Sequence, residues 1–469
     1  MSDFTTSAKD NISKLETCFN VECNFDILER KVIIAGREAG FFFIDGFVQE
    51  DMVEKLMQFF YSLKEQDLKD IETFLKKGMP YTEIEKNGHI ETVITQFLSG
   101  VVVMTVDGFD ECILIDCRTY PMRSVSEPWK DRVLRGSRDG FVETLVSNAA
   151  LLRRRIRDPK FCMEMFGVGK RSRSDVAFCY IEDKVDKQLL SKMKELINSI
   201  EVEALTMNIE SLAECLFTKK WINPFPKFKY SERPDTASAA ILDGNIVILV
   251  DNSPAVMIIP SSIFDITEEA DDYNFAPVVG TYLRLSRFIF TIITWILTPL
   301  WLLLVNNPAW VPEWMKFILV TDDITVPLIL QLLLLELAVD GLKLAAVNTP
   351  TMLSTPLSII AGIVVGEYAV QSGWFNPESL LYMAVVSVGT YAQTNFEMGY
   401  ALKFLRVVTL VLTQIFGIYG FVAGIIISIL MVLCNSTITG KSYVYPLVPF
   451  DGNMLKRKLI RVRLPHSYK

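Results

Sequence analysis

The chain has 469 residues, half of them hydrophobic, with 47 Lys and Arg against 55 Asp and Glu and a formal net charge of −8. This acidic balance argues against general nucleic-acid binding, and two histidines, His89 and His466, give no second ligand at a useful spacing for a zinc site or for histidine-based catalysis. Mean hydropathy is +0.30 but unevenly spread: residues 1–265 carry charges every few positions, and long apolar runs dominate from about Phe288 onward.

The N-terminus, MSDFTTSAKD, has no basic-then-apolar signal pattern, so the soluble part is expected to stay on the side where it is made. The eight cysteines (Cys18, Cys23, Cys112, Cys117, Cys162, Cys179, Cys215 and Cys434) form no Cys-x-x-Cys pair and read as reduced thiols. Cys112 and Cys117, five apart in an expected strand, should face opposite sides of it.

Two α/β subdomains of similar order are expected, over 1–135 and 136–265. In the first, a hairpin at 31–48 leads to helices near 50–63 and 90–98, and then to a second hairpin at 100–118 with a turn signal at Asp107-Gly108. In the second, residues 162–183 resemble the opening hairpin. Helices follow near 186–200, 208–217 and 234–242, and 244–262 closes the unit. Two anchors suggest a duplication: Phe43-Ile44-Asp45 matches Tyr180-Ile181-Glu182, and Val106-Asp107-Gly108 matches Val250-Asp251-Asn252 with a larger offset.

Between the units, a helix is expected over 140–156, with Val142, Leu145, Val146, Ala149, Leu152 and Ile156 on one stripe and Pro159 ending it. Arg153, Arg154, Arg155, Arg157, Arg171 and Arg173 fall in a locally basic stretch. Such a patch can hold lipid headgroups, a phosphate or a nucleotide. It can equally form ion pairs between the two units or between subunits. GVGKRS at 167–172 does not match a P-loop, and no nucleophile elbow, metal cluster or paired acids stand in a recognisable context. No enzymatic role and no cofactor are expected.

An all-α transmembrane domain is expected over 280–440, followed by a basic tail at 441–469. Six apolar stretches can be drawn, at 286–305, 326–346, 353–371, 379–394, 399–416 and 419–437, since about 20 residues cross a ~30 Å hydrocarbon core. In the last two, Gly417, Gly420 and Gly424 offer a place to turn, giving a helical hairpin or a re-entrant pair. Counted as loop charges, Arg284, Arg287, Lys403, Arg406 and the tail's Lys456, Arg457, Lys458, Arg461, Arg463 and Lys469 would all lie inside, with both termini cytoplasmic.

Glu336, Asp340 and Lys343 share one face of the second stretch. A charged group at the bilayer centre costs roughly 2.5–3.5 kcal/mol, so this face should meet protein or water. Asp340 and Lys343 can pair, leaving Glu336 the less compensated acid. Glu367 and Gln371 form a further polar stripe on the third stretch, and Gln393, Glu397 and Gln414 mark later ones. These residues either knit helices together or line an ion path, where acids favour cations.

The runs RGSRDGFVETLVSNAALLRRRIRDP, GKRSRSDVAFCYIED, ERPDTASAAILDGNIVILVDNSP and GTYLRLSRF resemble the A-subunit family of spore germinant receptors, over about residues 25–455. Residues 116–128, 274–288 and 345–373 look closest to one member of that family. The resemblance implies a location in the inner spore membrane and an oligomer acting with other germination proteins, either receptor B and C subunits or a small membrane partner. The role implied is that of an ion-conducting subunit promoting ion and dipicolinate release. A nutrient-receptor A subunit and a non-conducting scaffold are the other readings. Glu336, Asp340 and Lys343 would match the acid, acid and base of the family's polar membrane helix. Glu367 stands where relatives often have glutamine, and Thr394 where many have proline.

Overall fold

The computed structural model describes residues 3–77, 83–119, 131–217, 223–348, 362–435, 437–438, 440 and 442–462. The chain divides into two compact units: 1–219 with 228–260, and 220–227 with 261–469.

The first unit holds two five-stranded antiparallel sheets with the same strand order. Sheet one runs β1 (Ile27–Ile34), β2 (Arg37–Ile44), β4 (Val102–Val106), β5 (Cys112–Ile115), β3 (Ile84–Asn87). Sheet two runs β6 (Phe161–Val168), β7 (Ser174–Ile181), β9 (Ile246–Val250), β10 (Val256–Ile259), β8 (Lys229–Ser231). Helices recur at matching places: α1 (Ala8–Phe19), α2 (Glu50–Ser62), α3 (Ile71–Lys77) and α4 (Ile90–Leu98), then α5 (Leu145–Arg155), α6 (Lys187–Asn198), α7 (Ile209–Leu216) and α8 (Pro234–Leu242).

Small polar devices repeat as well. The Asn11 amide closes a ring with the backbone of Thr5, accepting at 2.9 Å and donating at 2.6 Å; Asn148 does the same with Val142 at 2.8 and 2.5 Å. Asp107 accepts from the first N–H of α1 at 3.1 Å, and Asp251 from that of α5 at 3.2 Å. Each satisfies an N–H that the helix itself cannot pair. The following residue, Gly108 or Asn252, takes a positive φ of 90° or 59°, as a tight turn requires.

The Asn148 ring explains one difference from the sequence expectation. It holds Val142 outside the helix, so α5 starts at Leu145 rather than at residue 140. That helix is the opening element of the second repeat, matching α1, and not a linker. Both faces of sheet one are covered, so its strands read as apolar runs: Val103 and Cys112 pack with Phe42 and Phe97, and Val102, Met104 and Cys117 with Phe41 and Phe60.

The second unit is helical beyond Ser261. After two short turns, α9 (Ile263–Ile266) and α10 (Asp271–Asn274), come α11 (Pro277–Asn306), α12 (Leu328–Asn348), α13 (Pro377–Tyr391), α14 (Phe396–Phe416), α15 (Ile418–Leu433) and α16 (Gly452–Leu459). A π-helical turn, Gly362–Tyr368, precedes α13. Among the described residues, α11 and α14 are long and apolar enough to cross a membrane. α12 has comparable length but carries three charges, and α15 is apolar but shorter. Residues 353–361 of the expected stretch 353–371 lie outside the described residues.

α14 and α15 form a hairpin that turns at Gly417, φ 58°. A Cβ on Gly420 would lie 1.8 Å from the Leu412 carbonyl oxygen, and one on Gly424 2.7 Å from the Thr409 side chain. Overfilling such a contact costs roughly 1–3 kcal/mol. Gly424→Val is therefore expected to lower the thermal stability of the detergent-purified chain by that amount. Gly341→Ala, with nothing within 4 Å of the new carbon, should not lower it.

Candidate functional site: a charged network among apolar helices

Glu336 and Gln331 lie on the buried face of α12, with Leu332 and Leu335. A carboxylate there needs a partner, because its desolvation costs several kcal/mol. The partner is Arg406 of α14, 2% exposed, which grips Glu336 with both sides of its guanidinium at 2.5 and 2.9 Å. Its remaining nitrogen donates to the Thr294 carbonyl of α11 at 2.6 Å. Three helices thus meet at one ion pair of the strong, forked kind.

One turn along α12, Asp340 pairs with Lys403 of α14, whose ammonium also donates to the Glu336 carbonyl at 3.1 Å. The other Asp340 oxygen is buried without a hydrogen-bond partner among the described residues. Lys343 does not pair with Asp340. Its ammonium sits over the rings of Tyr391 and Tyr400, 5.1 and 5.5 Å from their centroids, a cation–π arrangement.

The structure therefore reverses the expected compensation: Glu336 is the satisfied acid, and Asp340 keeps an open oxygen. Lys403 and Arg406 are not loop charges but the counter-ions inside α14, so they carry no weight in assigning an orientation. Their sequence signal was present, since two cations inside a nearly unbroken apolar run must find acids. With three bases to two acids, the network gives no electrostatic preference for cations.

Glu367 and Gln371 are exposed and hydrogen-bonded to each other at 3.3 Å. Gln331 ties α12 to the start of α13 through Asn376, donating at 2.7 Å and accepting at 2.9 Å.

A second cluster closes one end of the helical unit. Arg284 reaches Glu268 at 2.7 Å and Asp272 at 3.1 Å, and Arg287 pairs with Asp272. Arg284 also donates to the carbonyls of Arg457 and Lys458, both at 3.2 Å, while the Arg461 N–H donates to Thr281 at 3.2 Å. Burial raises the Asp265 carboxyl, but the Lys458 ammonium and the Ser262 hydrogen bonds outweigh it and hold it below the usual carboxylate range. The start of α11 and the chain after α15 thus meet at the same end.

The arginines of the basic stretch separate. Arg153 is fully buried, clamped to Asp26 at 2.7 and 2.9 Å, to Asn24 at 2.9 Å and to the Phe161 carbonyl at 3.1 Å, which joins the two repeats. Arg155 binds Asp139 at 2.7 Å, and Arg171 binds Glu203 at 2.7 Å on the surface. Arg154 and Arg157 are exposed, and Arg173 takes a positive φ in the β6–β7 turn. No single face gathers all six.

Comparison with known proteins gives a consistent set of relatives. The family model described as Bacillus/Clostridium GerA spore germination protein matches residues 13–469. Stage V sporulation protein AF of Bacillus subtilis (strain 168) is 36% identical, covering 94% of this chain and 90% of its own. Spore germination protein GerLA of Bacillus cereus is 27% identical, with coverages of 93% and 90%. Among solved structures, the N-terminal domain of the A subunit of the Bacillus megaterium spore germinant receptor GerK3 matches at 18% identity and TM-score 0.39, over 55% of this chain and 96% of that one.

Proposed function

The chain belongs to the GerA family of spore germination proteins, and from that premise we propose that it is an oligomeric, ion-conducting subunit of the germination machinery. Its role is non-enzymatic: it promotes release of ions and dipicolinate across the inner spore membrane. The observation that carries this reading is the Glu336–Arg406 and Asp340–Lys403 pairs, with Lys343 over Tyr391 and Tyr400, held between helices whose outer faces are apolar. Ile289 and Ile292 of α11 and Val422, Ile426, Ile429 and Leu433 of α15 are exposed and suit lipid. Charges so placed are functional candidates by default. Glu336–Arg406 is the fixed hinge of this reading, and the buried, unpaired Asp340 oxygen and Lys343 mark the edge of the network where an ion would be met.

Six crossings with both termini in the cytoplasm remain our topology. The meeting of Arg461 with Thr281, and of Arg284 with the tail carbonyls, supports an even number. The subunit assembles with copies of itself and with other inner-membrane germination proteins. A non-conducting scaffold is the second reading, favoured by how completely Glu336 is satisfied.

Spores carrying Asp340→Asn or Lys343→Met at matched protein levels separate the two. Dipicolinate release after germinant addition is expected to slow several-fold in both. A wild-type rate in both variants would favour the scaffold.

A further inference from the structure

The two repeats of the first unit also touch through a short backbone bridge. Asn24 pairs in parallel with Met163, and the Phe25 N–H donates to the Met163 carbonyl at 3.1 Å. The Met163 N–H in turn donates to the Asn24 side chain at 2.8 Å. Cys23 and Cys162 immediately precede the two bridged residues. Paired neighbouring backbones lie about 5 Å apart, within the ~4.4–6.8 Å between α-carbons that a disulfide spans. Both thiols are free; that of Cys23 donates to Glu164 and that of Cys162 to the Lys160 carbonyl at 3.7 Å.

Their surroundings differ. Cys162 is fully buried and accepts from the Asn20 side chain at 3.2 Å. Cys23 is half-buried and lines a cavity of about 300 Å³ with Asn20, Glu164, Tyr180 and Lys194. Its sulfur lies 3.6 Å from both the Glu164 carboxylate and the Tyr180 hydroxyl. The Lys194 ammonium holds the same Glu164 oxygen at 2.6 Å.

We propose that Cys23 and Cys162 are a peroxide-reactive thiol pair, Cys23 attacking and Cys162 resolving, whose disulfide locks the two repeats together. Cys23 sulfur attacks one peroxide oxygen, the O–O bond breaks, and water leaves with the thiol proton, giving Cys23 sulfenic acid. The Cys162 sulfur then displaces the sulfenic oxygen as a second water, and the S–S bond forms. Peroxide takes up two electrons, one from each sulfur.

Which thiol attacks follows from access and acidity. The neighbouring Cys162 thiol holds the Cys23 thiol below its ordinary range despite burial and the Glu164 carboxylate, and Cys23 together with burial pushes the Cys162 thiol up. Thiolate character and access together select the reactive sulfur. Cys112 and Cys179 are buried in apolar cores, where desolvation raises their thiols, that of Cys112 to about 12.

The test uses the full chain in membrane vesicles, treated with hydrogen peroxide, alkylated and digested for mass spectrometry. A peptide linking Cys23 to Cys162, reversed by dithiothreitol, is expected. In Cys162→Ser, Cys23 should stop at the sulfenic acid and take up dimedone; in Cys23→Ser, Cys162 should stay unmodified. Absence of the linked peptide in wild type, or dimedone labelling of Cys162 in place of Cys23, overturns the proposal. Wild-type thermal stability of both serine variants shows that these readouts report chemistry and not misfolding.

Discussion

Glu336→Ala is expected to destabilise the helical unit by roughly 3–5 kcal/mol, because it leaves the Arg406 guanidinium buried and unpaired among apolar helices. Removing both charges is a different experiment. Glu336→Leu with Arg406→Met keeps similar volume, leaves no orphaned charge, and should recover most of the loss, since replacing a whole buried pair by apolar residues is often neutral. Thermal unfolding of the detergent-purified chain measures both. If the single variant proves as stable as wild type, the pair does not hold α12 to α14. The consequence for function is practical. A loss of flux in Glu336→Ala alone says nothing about conduction, whereas Asp340→Asn and Lys343→Met probe the edge of the network without stranding Arg406.

Arg153→Ala should cost about as much, roughly 3–5 kcal/mol, by stranding Asp26, which is 1% exposed. Arg153→Lys should rescue only part of it, because an ammonium cannot reproduce the forked grip on Asp26 while also serving Asn24 and the Phe161 carbonyl. The loss should appear as faster cleavage near Asn24 by limited proteolysis of the full chain, since the arginine joins repeat one to repeat two. Unchanged proteolysis in Arg153→Ala would show that the repeats hold together without it.

The duplication was readable where both copies keep the same local chemistry. The Asp107 and Asp251 turns fill one role, capping the first helix of each repeat. The first helix of repeat one went unseen, although Ile12, Leu15 and Phe19 mark its buried face, because its counterpart at 140–156 was set between the units and not read as the first element of a repeat. β3 and β8 also escaped, being short edge strands with half-polar patterns. The basic stretch was readable only in part, since charge counted along the sequence does not report direction: of its two readings, an ion pair between the units is what Arg153 makes with Asp26. Arg153 points into the seam between repeats, while Arg171 stays on the surface with Glu203. Glu336, Asp340 and Lys343 were legible as a polar face, yet their partners were not. Choosing between Lys343 and Lys403 for Asp340 needs the packing of α14 against α12, which no spacing within one helix supplies.

Ion flux from proteoliposomes holding the purified chain tests conduction most directly. Wild type is expected to leak potassium or dipicolinate, and Asp340→Asn to leak several-fold less at equal incorporation. A correctly inserted oligomer that passes no ions, or an Asp340→Asn flux equal to wild type, would contradict it.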